Sequence, residues 1–345
     1  MAYLQRNFLK FHDIIRLREG DENANLREKR NTLVNALSAG IEAYNEARDE
    51  KIQFTHFNQG SYAMGTGTVP KDGNYDIDVG IEFQHPKDKF ESSVALKKIV
   101  RDAIETKNRT VNIRRPCVTV NYIKNGETDY HVDLAIYAQT GGNELDLAMG
   151  REHSSEDQIY WQQSDPKGLI DVIGNRHTGD DAKQFRRCIR YLKKWRDQRF
   201  SGSGSPISIG LTCAAYHHFE PSKDAGEYSD LRAMKAMVSA MISSAEISGD
   251  RLSVSLPVRP WNDLFSEMTE IQMENFVDKL RDLKTAVDDA QSEASVKGAC
   301  EILRKQFGVD FEVPEDDPGN SKGPGGTAKT SSTAPFIHSG TSALC

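Results

Sequence analysis

A chain of 345 residues with a formal net charge of −7, 37% hydrophobic and 28% charged residues and a mean hydropathy of −0.60 has room for two or three domains of roughly 100–200 residues. Its apolar content excludes a wholly disordered polymer, the excess of acid over base argues against a protein built mainly to coat nucleic acid, and five widely spaced cysteines without a CxxC pair give neither a disulfide framework nor a zinc ribbon. No stretch approaches the roughly 18 apolar residues that span a bilayer, and the start, MAYLQRNFLKFHDII, lacks the basic-then-apolar order of a secretory signal, so a cytoplasmic protein is expected.

From Asp21 onward, Leu26, Leu33, Val34, Leu37, Ile41 and Tyr44 recur at helical spacing and predict one long helix ending before Lys51. Residues 52–57 alternate like a strand and run into a small-residue stretch, Gln59 to Thr68. Residues 75–83 alternate again, with Ile77, Val79 and Ile81 on one face and Asp76 and Asp78 on the other. Pro86 to about Lys107 reads as a helix. Two further strands, 117–123 and 130–137, flank the turn signal Asn125-Gly126, and the second carries Asp133. Beyond residue 165 the pattern turns helical, with helices expected over 181–199, 231–245, 267–290 and 292–307 and Gly308 as a C-cap. Met234, Met237 and Met241 form a stripe that fits core packing. The segment from Pro314 to Cys345, rich in Gly, Ser, Thr and Pro, has too few large apolar residues to offset the entropy of ordering and reads as a flexible tail. The fold class is α/β (α+β), a small sheet followed by helices.

If the three acid-bearing strands share one sheet, Gly60-Ser61, Asp76, Asp78 and Asp133 converge. Transfer of a nucleotidyl group uses two divalent ions about 3.5–4 Å apart, and Mg²⁺ takes hard oxygen ligands. Asp76 and Asp78, two apart on one strand face, would bridge both ions; Asp133 would complete the shell beside the attacking hydroxyl. Glycine permits close backbone approach to a phosphate, and Ser61 adds a hydroxyl. Between Lys183 and Arg199 stand eight Lys/Arg against one Asp, a stretch whose plain alternative is a solvated helix face.

These motifs, Gln59-Gly-Ser-Tyr62, Tyr75-Asp-Ile-Asp78 and His131-Val-Asp-Leu134, with the basic helix 186–197 and Ser205-Pro-Ile-Ser208 after it, resemble the DNA polymerase β-like nucleotidyltransferases. Within them, the chain is similar to the cGAS/DncV-like nucleotidyltransferases of bacterial anti-phage (CBASS) systems. The resemblance implies two lobes around a cleft: a helical region over 1–50 packing across the lobes, a catalytic core over 51–165, a helical nucleotide-binding domain over 166–313, and the tail 314–345. It further implies that Mg²⁺ or Mn²⁺, two ions, sit on Asp76, Asp78 and Asp133, that Gln59, Gly60 and Ser61 contact the donor triphosphate, and that a helix lysine and Ser208 grip phosphates from the second lobe. With Phe185, Cys188, Ile189, Leu192 and Trp195 on the buried stripe, Lys193 lies about 100° from Leu192 and Lys194 about 200° away, so Lys193 is the expected lysine.

The implied activity joins ATP and GTP, or similar nucleotides, into a cyclic di- or trinucleotide messenger that acts on a separate effector. An enzyme releasing linear RNA or 2′–5′ oligoadenylate products would share the same aspartates, and an inactive nucleotide-binding module is the reading from a different class. Animal cGAS carries a zinc-binding insertion for DNA that the cysteine spacing here does not match, so zinc-dependent DNA binding is not implied. Some bacterial relatives are joined through their C-termini to other proteins by E2-like or E1/E2-like partners, and the terminal Cys345 would offer a thiol for such a link.

Overall fold

The computed structural model describes residues 3–17, 21–70, 76–107, 109–124, 127–141 and 144–315; of residues 21–26, 76–77, 123–124, 127–130, 141 and 203 it describes the backbone alone. In chain order the elements are α1 (Gln5–Ile15), α2 (Asp21–Arg48), β1 (Phe54–Asn58), the single turn α3 (Gly60–Ala63), β2 (Asp76–Phe83), α4 (Ser93–Ile104), β3 (Arg109–Ile113), β4 (Val118–Lys124), β5 (Glu127–Gly141), β6 (Glu144–Met149) and β7 (Tyr160–Ser164). Helices follow: α5 (Pro166–Asn175), α6 (Gly179–Arg199), α7 (Ser208–His218), α8 (Asp230–Ile247), α9 (Glu270–Ser292) and α10 (Val296–Phe307). Residues 1–313 form one compact unit; the tail from Pro314 is a separate one, and its residues 316–345 lie outside the described residues.

The seven strands make one sheet in the order β1-β2-β5-β4-β3, with β6 and β7 continuing from β5. β2 and β5 run parallel, so that Asp76 stands opposite His131 and Asp78 opposite Asp133. β4 runs antiparallel to β5, with Thr119 opposite Asp133, and β3 continues the row with Asn112 opposite Thr119. Because side chains alternate across a strand, one face of the sheet carries the row Asn112, Thr119, Asp133 and Asp78. The other carries Val79, Ile81, Val118, Val120, Val132, Leu134 and Ile136. These are buried in one core together with Leu33, Leu37 and Ile41 of α2 and Leu96, Val100 and Ile104 of α4. The apolar face is sealed by two helices, and the polar face is turned to the cleft.

The predicted helix over 86–107 is corrected at its start. Pro86 opens only a three-residue 3₁₀ turn, Phe90 is extended, and the helix begins after Ser92, whose hydroxyl accepts from the Ala95 N–H at 3.0 Å. A side-chain cap outcompetes proline as a helix start because it satisfies an orphaned backbone donor. The same device starts α5, where Asp165 accepts from the Gly168 N–H at 2.8 Å and Pro166 opens the helix. Gly308 ends α10 with φ +85°, as expected of its C-cap.

A second core gathers Leu4, Phe8, Phe11 and Ile15 of α1 with residues of α5 to α10, and the methionine stripe Met234, Met237 and Met241 is fully buried there. α1 therefore belongs to the helical core while α2 packs on the sheet. The basic helix α6 is not a solvated face: ten of its residues are buried. Arg187 makes two bonds to the fully buried Asp230, at 2.6 and 2.7 Å, and Gln184 and Tyr191 add hydrogen-bond contacts to the same carboxylate. Removing one partner of such a pair leaves an uncompensated buried charge. Asp230→Ala is expected to lower the unfolding free energy by about 3–5 kcal/mol, read by urea denaturation.

Candidate active site

A cavity of about 550 Å³ lies between the polar face of the sheet and α6–α7, and its lining includes Gln59, Gly60, Ser61, Asp78, Lys193 and Ser208. Asp133 stands beside Asp78 on the next strand, and strands in a sheet are about 4.8 Å apart. Asp133 is held by a hydrogen bond from Thr119 Oγ1 to its Oδ1 at 2.5 Å. Of Asp76 the backbone register alone is described, so its side chain, like Cys345, lies outside the described residues. Among the described residues no three His, Cys, Asp or Glu side chains gather closely enough to hold an ion. The donor chemistry nevertheless fits Mg²⁺ or Mn²⁺: two hard carboxylates in register on neighbouring strands, with the backbone of a third acid two residues away on the same strand face.

The turn after β1 is built for close approach. Gln59 donates its N–H to the Asp78 carbonyl at 3.2 Å, and its side-chain Oε1 accepts from the buried Tyr137 hydroxyl at 3.0 Å. Gly60 has φ +64°, and a Cβ there would stand 1.9 Å from Asp78 Oδ2. The left-handed conformation costs an L residue about 1–2 kcal/mol, and the clash would displace Asp78. A misplacement of about 1 Å at a reacting centre costs on the order of 10²-fold. Gly60→Ala is therefore expected to lose about 100-fold in turnover, measured by pyrophosphate release.

On the opposite wall, Lys193 is 4% exposed and its Nζ donates to Thr66 O and Oγ1 at 3.3 and 3.2 Å. Burial, with Arg190 and Arg196 adding to it, pulls this ammonium down to about 7, against the opposing pull of Asp78 and Asp197. Lys194 is also buried, contrary to its position on a wheel with a single apolar stripe, because the segment after α10 covers that side and Asp310 pairs with it at 2.6 Å. The two adjacent lysines thus have different destinations, one the cavity and one a structural carboxylate. Ser208 is the first residue of α7.

The sequence reading missed several cavity and support residues. Arg190, one turn before Lys193, donates to Gly67 O at 3.0 Å and Gly65 O at 2.5 Å and contacts His12 Nε2 at 3.1 Å. It thereby ties α6 and α1 to the turn that follows Ser61. Tyr137 and the loop carrying Leu256, Arg259, Asn262 and Leu264 also line the cavity. None carries a local signal; each arrives through long-range packing. Among the described residues no helix is long and apolar enough to cross a membrane.

Residues 54–137 match the family model described as cyclic GMP-AMP synthase DncV-like, nucleotidyltransferase domain. The apo form of Vibrio cholerae DncV shares the fold with a TM-score of 0.71 at 19% identity, over 89% of this chain and 96% of that one. The Bradyrhizobium diazoefficiens CD-NTase CdnG, in complex with GTP, gives 0.70 at 16% identity over 90% and 97%. Vibrio cholerae DncV cyclic AMP-GMP synthase, in complex with the linear intermediate 5′ pppA(3′,5′)pG, gives 0.68 at 19% over 89% and 97%. Residues 54–137, which hold the acidic strands in register, thus match a DncV-like nucleotidyltransferase domain, and the fold of the DncV and CdnG structures extends over about nine-tenths of the chain.

Proposed function

We propose that this enzyme joins ATP and GTP, or similar nucleoside triphosphates, into a cyclic di- or trinucleotide, with a cyclic GMP-AMP-like product as the leading choice. The product would be a second messenger made in the cytoplasm and read by a separate effector in anti-phage defence. The observation that carries the chemistry is the register pair Asp78–Asp133, of which Asp78 lines a cavity whose other wall presents Lys193 and Ser208. The cyclic product is supported by the likeness to structures described as a cyclic AMP-GMP synthase, one of them holding a linear intermediate.

Asp76, Asp78 and Asp133 would hold the divalent ions. Bound there, Mg²⁺ or Mn²⁺ offsets triphosphate charge and makes an attacking ribose hydroxyl more acidic. The remaining work falls to this chain's own groups. Ser61 and Ser208 offer hydroxyl donors to phosphate oxygens from the two walls. Lys193, held near neutrality in its pocket, takes up a proton as the anion arrives, since an opposite charge favours the ammonium. Gln59 is fixed by Tyr137 beside the strand that carries Asp78, and the apolar lining residues Ile209, Leu256 and Leu264 offer surface against which a base can pack. An acceptor hydroxyl attacks the α-phosphorus, the bond to pyrophosphate breaks, and the linear product then turns so that its own triphosphate end is closed. Positioning and charge complementarity supply the rate.

The test is incubation of the full chain with Mg²⁺ or Mn²⁺ and all four ribonucleotides, followed by mass spectrometry of phosphatase-resistant products. A cyclic product, absent with Asp78→Asn, supports the proposal; linear oligomers alone overturn it in favour of a tailing enzyme. Conjugation at Cys345 is checked apart, by intact mass after exposure to an E2-like partner. An unchanged mass disposes of that link.

A further inference from the structure

Thr119 sits directly behind one of the proposed metal carboxylates. It is 3% exposed and faces Asp133 across the antiparallel β4–β5 pair. Its hydroxyl donates to Asp133 Oδ1 at 2.5 Å. Cys117, two residues earlier and so on the same strand face, places its Sγ 3.6 Å from that hydroxyl. The strand that delivers both is pinned where it begins: the buried Lys97 ammonium donates to Arg114 O, Arg115 O and Gly150 O at 3.0, 2.7 and 3.0 Å. A threonine in a strand is ordinarily explained by β-propensity alone. Here the hydroxyl has a dedicated acceptor, the donor is on a different strand from the acceptor, and the turn leading into the donor's strand is fixed by a fully buried cation.

We propose that Thr119 is a positioning residue for Asp133: by holding Oδ1 towards β4 it fixes the rotation of the carboxylate and presents Oδ2 as the oxygen that ligates the divalent ion. This rests on the reading of Asp133 as a metal ligand. A carboxylate with both oxygens uncommitted samples several orientations, and ordering it must then be offset by the binding free energy. Groups that orient a ligand from behind in this way typically change metal affinity by about 10–100-fold when removed.

The experiment titrates Mn²⁺ into the full-length protein with an α,β-methylene ATP analogue present, reading unbound Mn²⁺ by electron paramagnetic resonance. Thr119→Val, close in shape but without the hydroxyl, is expected to weaken Mn²⁺ binding by about 10–100-fold. The Mg²⁺ concentration for half-maximal turnover should rise in parallel, and the nucleotide KM at saturating Mg²⁺ should stay within twofold. Thr119→Ser, which keeps the hydroxyl, should restore wild-type affinity; Thr119→Ala serves the same comparison if Val perturbs the strand. Affinity within twofold of wild type in both Val and Ala variants, or equal loss in Ser and Val, overturns the inference. Asp133→Asn is measured beside them. If it leaves Mn²⁺ binding and turnover intact, the assignment of Asp133 itself has failed; if it abolishes them while Thr119→Val does not, only the role of Thr119 has.

Discussion

Asp78→Asn and Asp133→Asn are each expected to reduce nucleotidyl transfer by at least about 10³-fold, a loss of about 4 kcal/mol of transition-state stabilisation, with no loss of fold stability in metal-free buffer. The two carboxylates sit in register on adjacent parallel strands, and like charges this close repel each other when no cation lies between them. An amide keeps the shape and removes one charge, so the apo variants should melt at or above the wild-type temperature. Adding Mg²⁺ with nucleotide should then raise the melting temperature of the wild type more than that of either variant, because a ligand stabilises only the state that binds it. Pyrophosphate release and differential scanning fluorimetry together check the prediction. Wild-type turnover in Asp78→Asn would remove the carboxylates from the chemistry.

The second large effect is expected at Lys193. Lys193→Met should raise the triphosphate KM by about 10–150-fold, the equivalent of about 1.5–3 kcal/mol for a hydrogen bond to a charged group. Lys194→Ala, which removes the partner of Asp310, should leave KM near wild type and lower stability instead. The pH dependence follows from the ammonium at about 7. Its folded value lies below the unfolded 10.5, so the buried charge costs the empty protein stability below about pH 7. That cost shrinks as pH rises from 7 towards 10.5 and is gone above it. Lys193→Met should therefore be more stable than wild type at neutral pH. An arriving triphosphate restores the charge, so binding above pH 7 takes up a proton. Calorimetry in buffers of different ionisation enthalpy should show that uptake in the wild type and lose it in Lys193→Met.

The parts of this molecule legible in the sequence are those whose signal is periodic and local. β2 and β5 were readable because Ile77, Val79 and Ile81 lie on the opposite face from Asp76 and Asp78 and because Val132 and Leu134 flank Asp133, and α2, α6, α8, α9 and α10 because their apolar positions recur over several turns. Helical regions were expected over 1–50 and 166–313, but α1, α5 and α7 were not delimited within them, and the strands β3, β6 and β7 were missing from the reading. α1 spans only Gln5–Ile15, and α7 is enclosed on several sides, so its apolar residues follow no single stripe. Asp165-Pro166 did carry a start signal for α5. At the site, Gln59, Gly60, Ser61, Asp78, Lys193 and Ser208 were found at the cavity. Thr119, Tyr137 and Arg190 were not singled out from the sequence, because each matters through a partner distant in sequence. Thr119 reaches Asp133, Tyr137 reaches Gln59, and Arg190 reaches Gly65 and Gly67.

The parallel pairing of β2 with β5 also makes assembly of the sheet self-checking. A slip of β5 by one residue would turn Asp133 into the space between α2, α4 and the sheet and put Val132 or Leu134 into the cleft, since a one-residue slip moves every side chain to the other face. An unpaired carboxylate in that apolar layer costs far more than the strand pairing returns. The acid proposed to ligate the metal is thus also a register mark: in a chain whose β5 slipped by one residue it would face the apolar layer instead of the cleft.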